Sequence, residues 1–142
     1  MRPKLGLTTP EKQDRALVEA LLQVMENDAL DWTLSFRRLA RSEPLIAAPP
    51  SEALERWMTE WKARRALEPV AAETQEALMR SSNPAVIARN HRVAEAIAAA
   101  ETGNFTVFEA LLQRLQQPFE DDAAYEMPPS PEQIVYATFC GT

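Results

Sequence analysis

Prolines set the main constraint on what this chain can fold into. Eleven prolines occur in the 142 residues, and the stretches between them are rich in alanine, leucine, glutamate, glutamine and arginine. These five residue types are strong helix formers. Proline inside a helix removes a backbone hydrogen bond and clashes with the preceding turn, so helices are expected to begin or end near it. The sequence therefore predicts an all-α fold, a compact bundle of about five to six helices.

The first helix is predicted from its capping residues. Thr8 or Thr9 is expected to begin it, with Pro10 in the first turn, where a missing N–H does no harm. Thr8 and Glu11 have the spacing of a capping box. Apolar residues then recur at helical intervals until the helix ends near Asn27.

Two further helices follow, each preceded by a good N-cap. Asp28 or Asp31 is expected to cap the second helix, and Ser51 the third. Trp57 and Trp61 lie one turn apart on the third helix. This pair could form a ligand-stacking platform, but core or interdomain packing is the favoured interpretation because Trp carries a large apolar area.

The sharpest local signal lies in the middle of the chain. Asn83 is predicted to be an N-cap and Pro84 the first residue of a helix that runs to about Thr102. Gly103 suits the left-handed residue that ends such a helix. His91 falls in this segment and is interpreted as a surface or boundary histidine, since no second metal ligand or nucleophile accompanies it.

A last helix and a tail complete the predicted organisation. Thr106 and Glu109 have capping-box spacing, and Pro118 is expected to stop the helix. We predict a helical domain over residues 1–118 and an extended, Pro-rich acidic tail over residues 119–142.

The distribution of charge argues against several classes of function. The formal net charge is −6, and no lysine or arginine follows Arg114. Nucleic-acid-binding domains usually carry a basic face, so no nucleic-acid partner is expected, and a helix-turn-helix DNA-binding function is disfavoured. The clusters Arg37-Arg38-Arg41 and Arg64-Arg65 are interpreted as solvated helix faces, with a partner- or phosphate-binding patch as the alternative. The tail alone carries five carboxylates: Glu120, Asp121, Asp122, Glu126 and Glu132.

The rare residue types leave little room for catalysis. One histidine and one cysteine exclude a multi-histidine metal site and an internal disulfide, and three glycines cannot build a glycine-rich phosphate loop. His91 and Cys140 are the only available nucleophile–base pair, and Cys140 lies three residues from the C-terminus. No catalytic, cofactor-binding or metal site is therefore predicted in this chain. The chain lacks a membrane-spanning apolar run and an apolar signal core, so no membrane partner and a cytoplasmic location are expected.

Several short motifs occur in a fixed order along the chain. The most specific is Asn83-Pro84 followed by Arg89-Asn90, and the sequence places Cys140 near the C-terminus. The accompanying motifs are Lys4-Leu5-Gly6-Leu7, Asp31-Trp32-Thr33, Phe36-Arg37 and Pro118-Phe119. This ordered set resembles the C-terminal region of the selenoprotein O (SelO/YdiU) family.

The resemblance implies a function for a longer protein. Members of the family have a protein-kinase-like fold and transfer AMP from ATP to protein hydroxyl groups, with Mg or Mn. Their nucleotide, metal and acid–base residues lie upstream of the matched region, so none is carried over to this chain. The resemblance implies that Cys140 is redox-active and forms a disulfide with a cysteine of the catalytic domain; a plain terminal thiol is the alternative.

Two interpretations of the whole chain remain open. In the first, it is a non-catalytic accessory domain of a protein adenylyltransferase, whose partners are the upstream kinase-like domain and the enzyme's protein substrates. It would pack on that domain through Trp57, Trp61 or Phe36 and position Cys140. In the second, it is a free-standing helical interaction or adaptor module that binds through its acidic tail and its Trp and Arg surface.

Overall fold

The computed structural model describes residues 1–45 and 49–135. These residues form seven α-helices, six of which have nine or more residues, and they contain no β-strand, which confirms the all-α prediction. The helices are α1 (Asp14–Asn27), α2 (Trp32–Ala40), α3 (Glu52–Arg65), α4 (Ala72–Ser82), α5 (Asn90–Glu101), α6 (Thr106–Leu115) and α7 (Ala123–Glu126). Two 3-10 turns span Arg2–Leu5 and Pro131–Gln133.

The chain folds as two compact units, Met1–Asn83 and the residues from Pro84 onward. The first unit holds the N-terminal 3-10 turn and α1 to α4, and the second holds α5 to α7. The division into a helical domain (1–118) and a tail (119–142) stays a prediction. The described part of that tail contains α7 and the second 3-10 turn.

The core of the first unit draws apolar side chains from every one of its elements. Helix α1 packs against α3, α2 packs against α4, and the N-terminal 3-10 turn contacts both α2 and α4. The deeply buried side chains of this core include Leu5, Leu21, Phe36, Leu54, Trp57 and Met79, each at most 2% exposed.

Trp57 and Trp61 are part of this core. Their rings stack with centroids 5.7 Å apart, and each residue is only 2% exposed. The indole N–H of Trp57 donates to the Leu17 carbonyl at 2.8 Å, and that of Trp61 donates to the Leu5 carbonyl at 3.0 Å. Core packing is therefore confirmed, and the ligand-platform interpretation is wrong. Because Phe36 is also buried, the docking face predicted from these three aromatic residues is not available.

Several predicted helix ends are confirmed by their local hydrogen bonds. The Asp31 side chain accepts the Leu34 amide at 2.8 Å, and the Ser51 hydroxyl accepts the Leu54 amide at 3.1 Å. Gly103 follows α5 with φ +85°, the left-handed conformation that glycine adopts without strain. Each signal is local, which explains why sequence alone located it.

The predicted start of α1 is wrong. The helix begins at Asp14, and the hydroxyls of Thr8 and Thr9 donate to the carboxylate of Glu68 instead of capping their own helix. Glu11 donates its amide to the Asp14 carboxylate at 3.0 Å. Glu68, 60 positions away, thus accepts the Thr8 amide that Glu11 would accept in a capping box.

The predicted start of the central helix is also wrong. Asn83 ends α4, and α5 begins only at Asn90. The amides of Ala85 and Val86 both donate to the Pro118 carbonyl, at 2.7 and 3.0 Å, and so do not enter a helix. In the second unit these two bonds connect the segment after Pro84 with the residues that follow α6.

The sequence predicted a last helix with a Thr106–Glu109 capping box. This helix is α6, and Thr106 is its first residue rather than its N-cap, so the capping box is wrong. The amide and the hydroxyl of Thr106 both donate to the Asn104 side chain, at 3.1 and 2.7 Å. Helix α6 ends at Leu115, before Pro118, as expected. Among the described residues, none of the helices is long and apolar enough to cross a membrane.

Candidate functional site

Asn83 lies in a buried polar junction of the first unit. Its side-chain amide donates to the Lys4 carbonyl at 2.9 Å, and the Lys4 ammonium donates back to the Asn83 side-chain oxygen at 3.2 Å. Lys4 also donates to the Ser82 carbonyl at 2.9 Å. Arg37 donates to the carbonyls of Arg80 and Asn83, at 2.9 and 3.0 Å. We call Lys4, Arg37 and Asn83 the Asn83 junction.

The junction joins motifs that are far apart in sequence. Lys4 comes from the N-terminal turn, Arg37 from α2 and Asn83 from the end of α4. Burial lowers the pKa of Lys4, and its ammonium lies 5.6 Å from the centre of the Phe36 ring. The bonds described above go to backbone carbonyls and to one amide oxygen, so their effect is to hold three elements together.

Gly6 allows the N-terminal turn to approach α4 closely. Its φ is +74°, and a Cβ placed there would lie 3.3 Å from two side-chain atoms of Met79. Any other residue would meet both the backbone strain and this contact. The glycine of the first motif is therefore explained by packing rather than by phosphate binding.

A second buried cluster, which the sequence analysis missed, surrounds Glu68. Its carboxylate accepts the amides of Thr8 and Thr9, at 2.8 and 3.0 Å, and both of their hydroxyls. Arg64 donates to Glu68 at 2.6 Å and to Asp14 at 2.8 Å. The i,i+4 spacing of Arg64 and Glu68 was the only sequence signal for this cluster. Arg64 is 3% exposed and Arg37 2%, so the solvated-face interpretation is wrong for both.

Hydrogen bonding controls the charge of this cluster. Burial by itself raises the pKa of Glu68, but the bonds from Thr8, Arg64 and Thr9 outweigh it and lower the pKa to about 2. The pKa of Asp14 is also lowered, since the bonds from Arg64 and Glu11 outweigh its burial. Both carboxylates stay ionised at neutral pH and are fully engaged, which makes the cluster a structural clamp between α1, α3 and the segment before α1.

The remaining motif residues lie in the second unit. Arg89 precedes α5 and is 7% exposed, and its guanidinium donates to the Glu126 carbonyl at 2.7 Å. Asn90 is the exposed first residue of α5. Pro84 is the first residue of the second unit, and the two amides after it donate to the Pro118 carbonyl. The structure gives Arg89 a buried structural bond and leaves Asn90 at the surface.

His91 is buried, not at the surface or boundary as predicted. It is 5% exposed, and its Nδ1 has no hydrogen-bond partner among the described residues. Burial, together with the positive charges of Arg92 and Arg89, lowers its pKa, so the ring is neutral at pH 7. Cys140, the predicted redox residue, lies outside the described residues, so its pairing with His91 has no structural description.

The residues present do not fit a nucleotide–metal site. Nowhere in residues 1–45 and 49–135 do three or more His, Cys, Asp or Glu side chains gather as a metal would require. Two of the three glycines in the chain, Gly6 and Gly103, serve a close packing contact and a helix end. No step of nucleotide or metal chemistry is therefore assigned to these side chains.

Comparison with known proteins gives a consistent match over the whole chain. Residues 1–116 match the family model described as protein adenylyltransferase SelO. The chain is 47% identical to the protein nucleotidyltransferase YdiU of Rhizobium meliloti (strain 1021), with all of this chain and 31% of that protein aligned. It is also 47% identical to the YdiU of Cereibacter sphaeroides (strain KD131), covering 30% of it.

The matched relatives are longer than this chain. It spans about a third of the length of the curated relatives that it matches. The family model covers well over half of the chain. The chain belongs to the SelO family of protein adenylyltransferases.

Proposed function

We propose that this chain is a non-catalytic helical region of a longer protein adenylyltransferase. The longer enzyme would transfer AMP from ATP to hydroxyl groups of protein substrates, with Mg or Mn bound by residues outside this region. The family membership and the coverage of about a third of the relatives' length support this division.

One observation carries the proposal. The motif side chains that the family resemblance singled out are bonded mainly to this chain's own backbone: Lys4 and Arg37 to carbonyls around Asn83, and Arg89 to the Glu126 carbonyl. Bonds of this kind fix the position of one element of the chain against another, which supports a structural role for these side chains. Asn90 is exposed and free of that constraint, so it serves as the comparison residue in the test.

The partner in this proposal is the kinase-like domain of the same protein. Cys140 would act by thiol–disulfide exchange with glutathione disulfide. Its thiolate attacks one sulfur, the S–S bond breaks, and one glutathione leaves as its thiolate, so that Cys140 carries a mixed disulfide. A cysteine thiolate of the catalytic domain then attacks the Cys140 sulfur and releases the second glutathione. The new bond would tether the tail and make activity depend on the redox state.

The test uses the full-length protein with radiolabelled ATP and a protein acceptor. Asn83→Ala and Asn90→Ala are compared with wild type, and kcat is expressed per folded molecule. We expect both variants to retain the wild-type kcat, although Asn83→Ala yields less folded protein. Loss of a catalytic acid or base typically costs about a hundredfold or more in rate. A fall of that size in a folded variant would contradict the non-catalytic assignment.

The gene sequence upstream of Met1 distinguishes this proposal from the alternative of a free-standing adaptor. An in-frame kinase-like sequence upstream of Met1 supports the accessory role. A stop codon and a ribosome-binding site at that place would support a free-standing module.

A further inference from the structure

The second unit exposes an apolar groove between its two longest helices. Helices α5 and α6 pack against each other, and the groove they leave has a volume of about 350 Å³ and purely apolar walls. Ala96 and Leu111 form its buried floor. Its rim carries Ile97, Phe105, Phe108 and Leu112, each about half exposed. We call this surface the α5–α6 groove.

Such a surface is unusual for a protein that meets only water. Isolated exposed apolar side chains are common, but a contiguous patch with aromatic members marks an interaction site. Ile97 is 56% exposed and Phe105 57%, so covering the rim would remove substantial apolar area from water. In the first unit, by comparison, Phe36, Trp57 and Trp61 are covered, and Trp32 is half exposed.

The length of the family's proteins indicates what covers the groove. About two thirds of each relative lies outside the region that this chain matches. A second copy of this chain is a poor occupant, because the same unit carries five carboxylates after Arg114 and the whole chain has a charge of −6. Pairing two copies would bring these like charges together.

We infer that the α5–α6 groove docks apolar side chains from the remaining two thirds of the full-length protein. The inference rests on the proposed function, since it takes this chain to be one region of a longer enzyme. It replaces the docking face that the sequence predicted on Trp57, Trp61 and Phe36.

The test is side-chain footprinting of the monomeric full-length protein by hydroxyl radicals and mass spectrometry. Labelling of each ring is normalised to the denatured protein. If the groove is docked, Phe105 and Phe108 label as slowly as the buried Phe36, while the half-exposed Trp32 labels readily. Ready labelling of both groove rings in the monomer would overturn the inference. Protection that disappears on dilution of a dimer would also overturn it, because a second copy would then be the occupant.

A substitution in the α5–α6 groove tests the docking inference independently. Ile97→Glu places a charge in the apolar rim, and Leu67→Glu, at a residue 68% exposed in the first unit, is the matched control. We expect Ile97→Glu to restore labelling of Phe105 and Phe108 and to lower the Tm of the full-length protein, with Leu67→Glu changing neither. Unchanged protection and Tm in Ile97→Glu would contradict docking at this groove.

The same samples separate this inference from the proposed function. AMP transfer to a protein acceptor is measured for wild type and Ile97→Glu. If opening the groove leaves AMP transfer unchanged, the footprint still establishes docking and only the accessory role in activity is lost. If transfer falls while the groove rings were never protected, the docking inference is lost and the accessory role stands.

Discussion

Asn83 and Lys4 bind each other reciprocally across 79 positions of sequence: the Asn83 amide donates to the Lys4 carbonyl, and the Lys4 ammonium donates to the Asn83 side-chain oxygen. The pair connects the N-terminal turn with the end of α4. Arg37 connects α2 to this pair, because its guanidinium donates to the Asn83 carbonyl. Residues from three of the motifs on which the family resemblance was based thus meet in one junction, and their bonds hold the elements of the first unit together.

Asn83→Ala is expected to destabilise the first unit. The substitution leaves the Lys4 carbonyl without its donor and removes one acceptor from the ammonium, which costs about 2 kcal/mol for groups of this burial. Urea unfolding of the chain, followed by circular dichroism, measures the change. Asn90→Ala removes the same side chain from an exposed position and should change the unfolding free energy by less than about 0.5 kcal/mol. Equal losses in the two variants would argue against the junction.

The Glu68 clamp predicts that stability falls in acid. The folded-state pKa of Glu68 is about 2, against an ordinary value of 4.5, so folding favours the ionised form. Its contribution is fully present above about pH 5 and is lost as pH falls through 4.5 towards 2, with a total of about 3 kcal/mol. Urea unfolding at pH values between 7 and 3 measures this loss. Glu68→Gln should be less stable at pH 7 and less sensitive to acid; an unchanged pH dependence in that variant would contradict the clamp.

Gly6 and Gly103, the left-handed glycines in the part of the chain that the structure describes, form a matched pair for testing the approach of the N-terminal turn to α4. Gly103→Ala meets no neighbouring atom and should cost about 1 kcal/mol, the penalty for a Cβ at positive φ. Gly6→Ala meets the same penalty and also crowds Met79, so it should cost about 2–3 kcal/mol in total. Thermal and urea unfolding of both variants compare them. Equal costs would show that the contact with Met79 adds nothing.

Cys140 gives the redox prediction. In the full-length protein treated with glutathione disulfide, Cys140→Ser should abolish the faster-migrating oxidised band on a non-reducing gel and the redox dependence of AMP transfer. Wild type treated with dithiothreitol is the control, and it should match the serine variant. If the serine variant responds to oxidant as wild type does, Cys140 has no tethering role.

The sequence predicted the helices well where the deciding contact is local. Asp31 and Ser51 cap their own helices, and Gly103 ends α5 by its backbone conformation. The predicted helix starts are wrong where a residue distant in sequence binds the group that would otherwise begin the helix. Thr8 bonds to Glu68 rather than to its own first turn, and the amides after Pro84 bond to the Pro118 carbonyl. Asn83 is a residue type favoured at N-caps, but its side-chain amide donates to the Lys4 carbonyl instead.

The candidate site was harder to predict than the helices. Motif residues such as Lys4, Arg37 and Asn83 were identified, but nothing in their spacing shows that they share one junction. The Glu68 clamp had only the i,i+4 spacing of Arg64 and Glu68 as a signal, a pattern that usually marks an exposed pair. The α5–α6 groove was also missed, because a pattern of apolar residues on two helices does not reveal which part of them a neighbouring helix leaves open.

Isothermal titration of the 142-residue chain with ATP in the presence of Mn or Mg tests the central claim most directly. The account assigns nucleotide binding to residues outside this chain, so it predicts no binding heat, while the full-length protein titrated in parallel binds ATP. Circular dichroism of the same sample establishes that the chain is helical. Micromolar binding of ATP by the folded chain would contradict the claim that this region is non-catalytic.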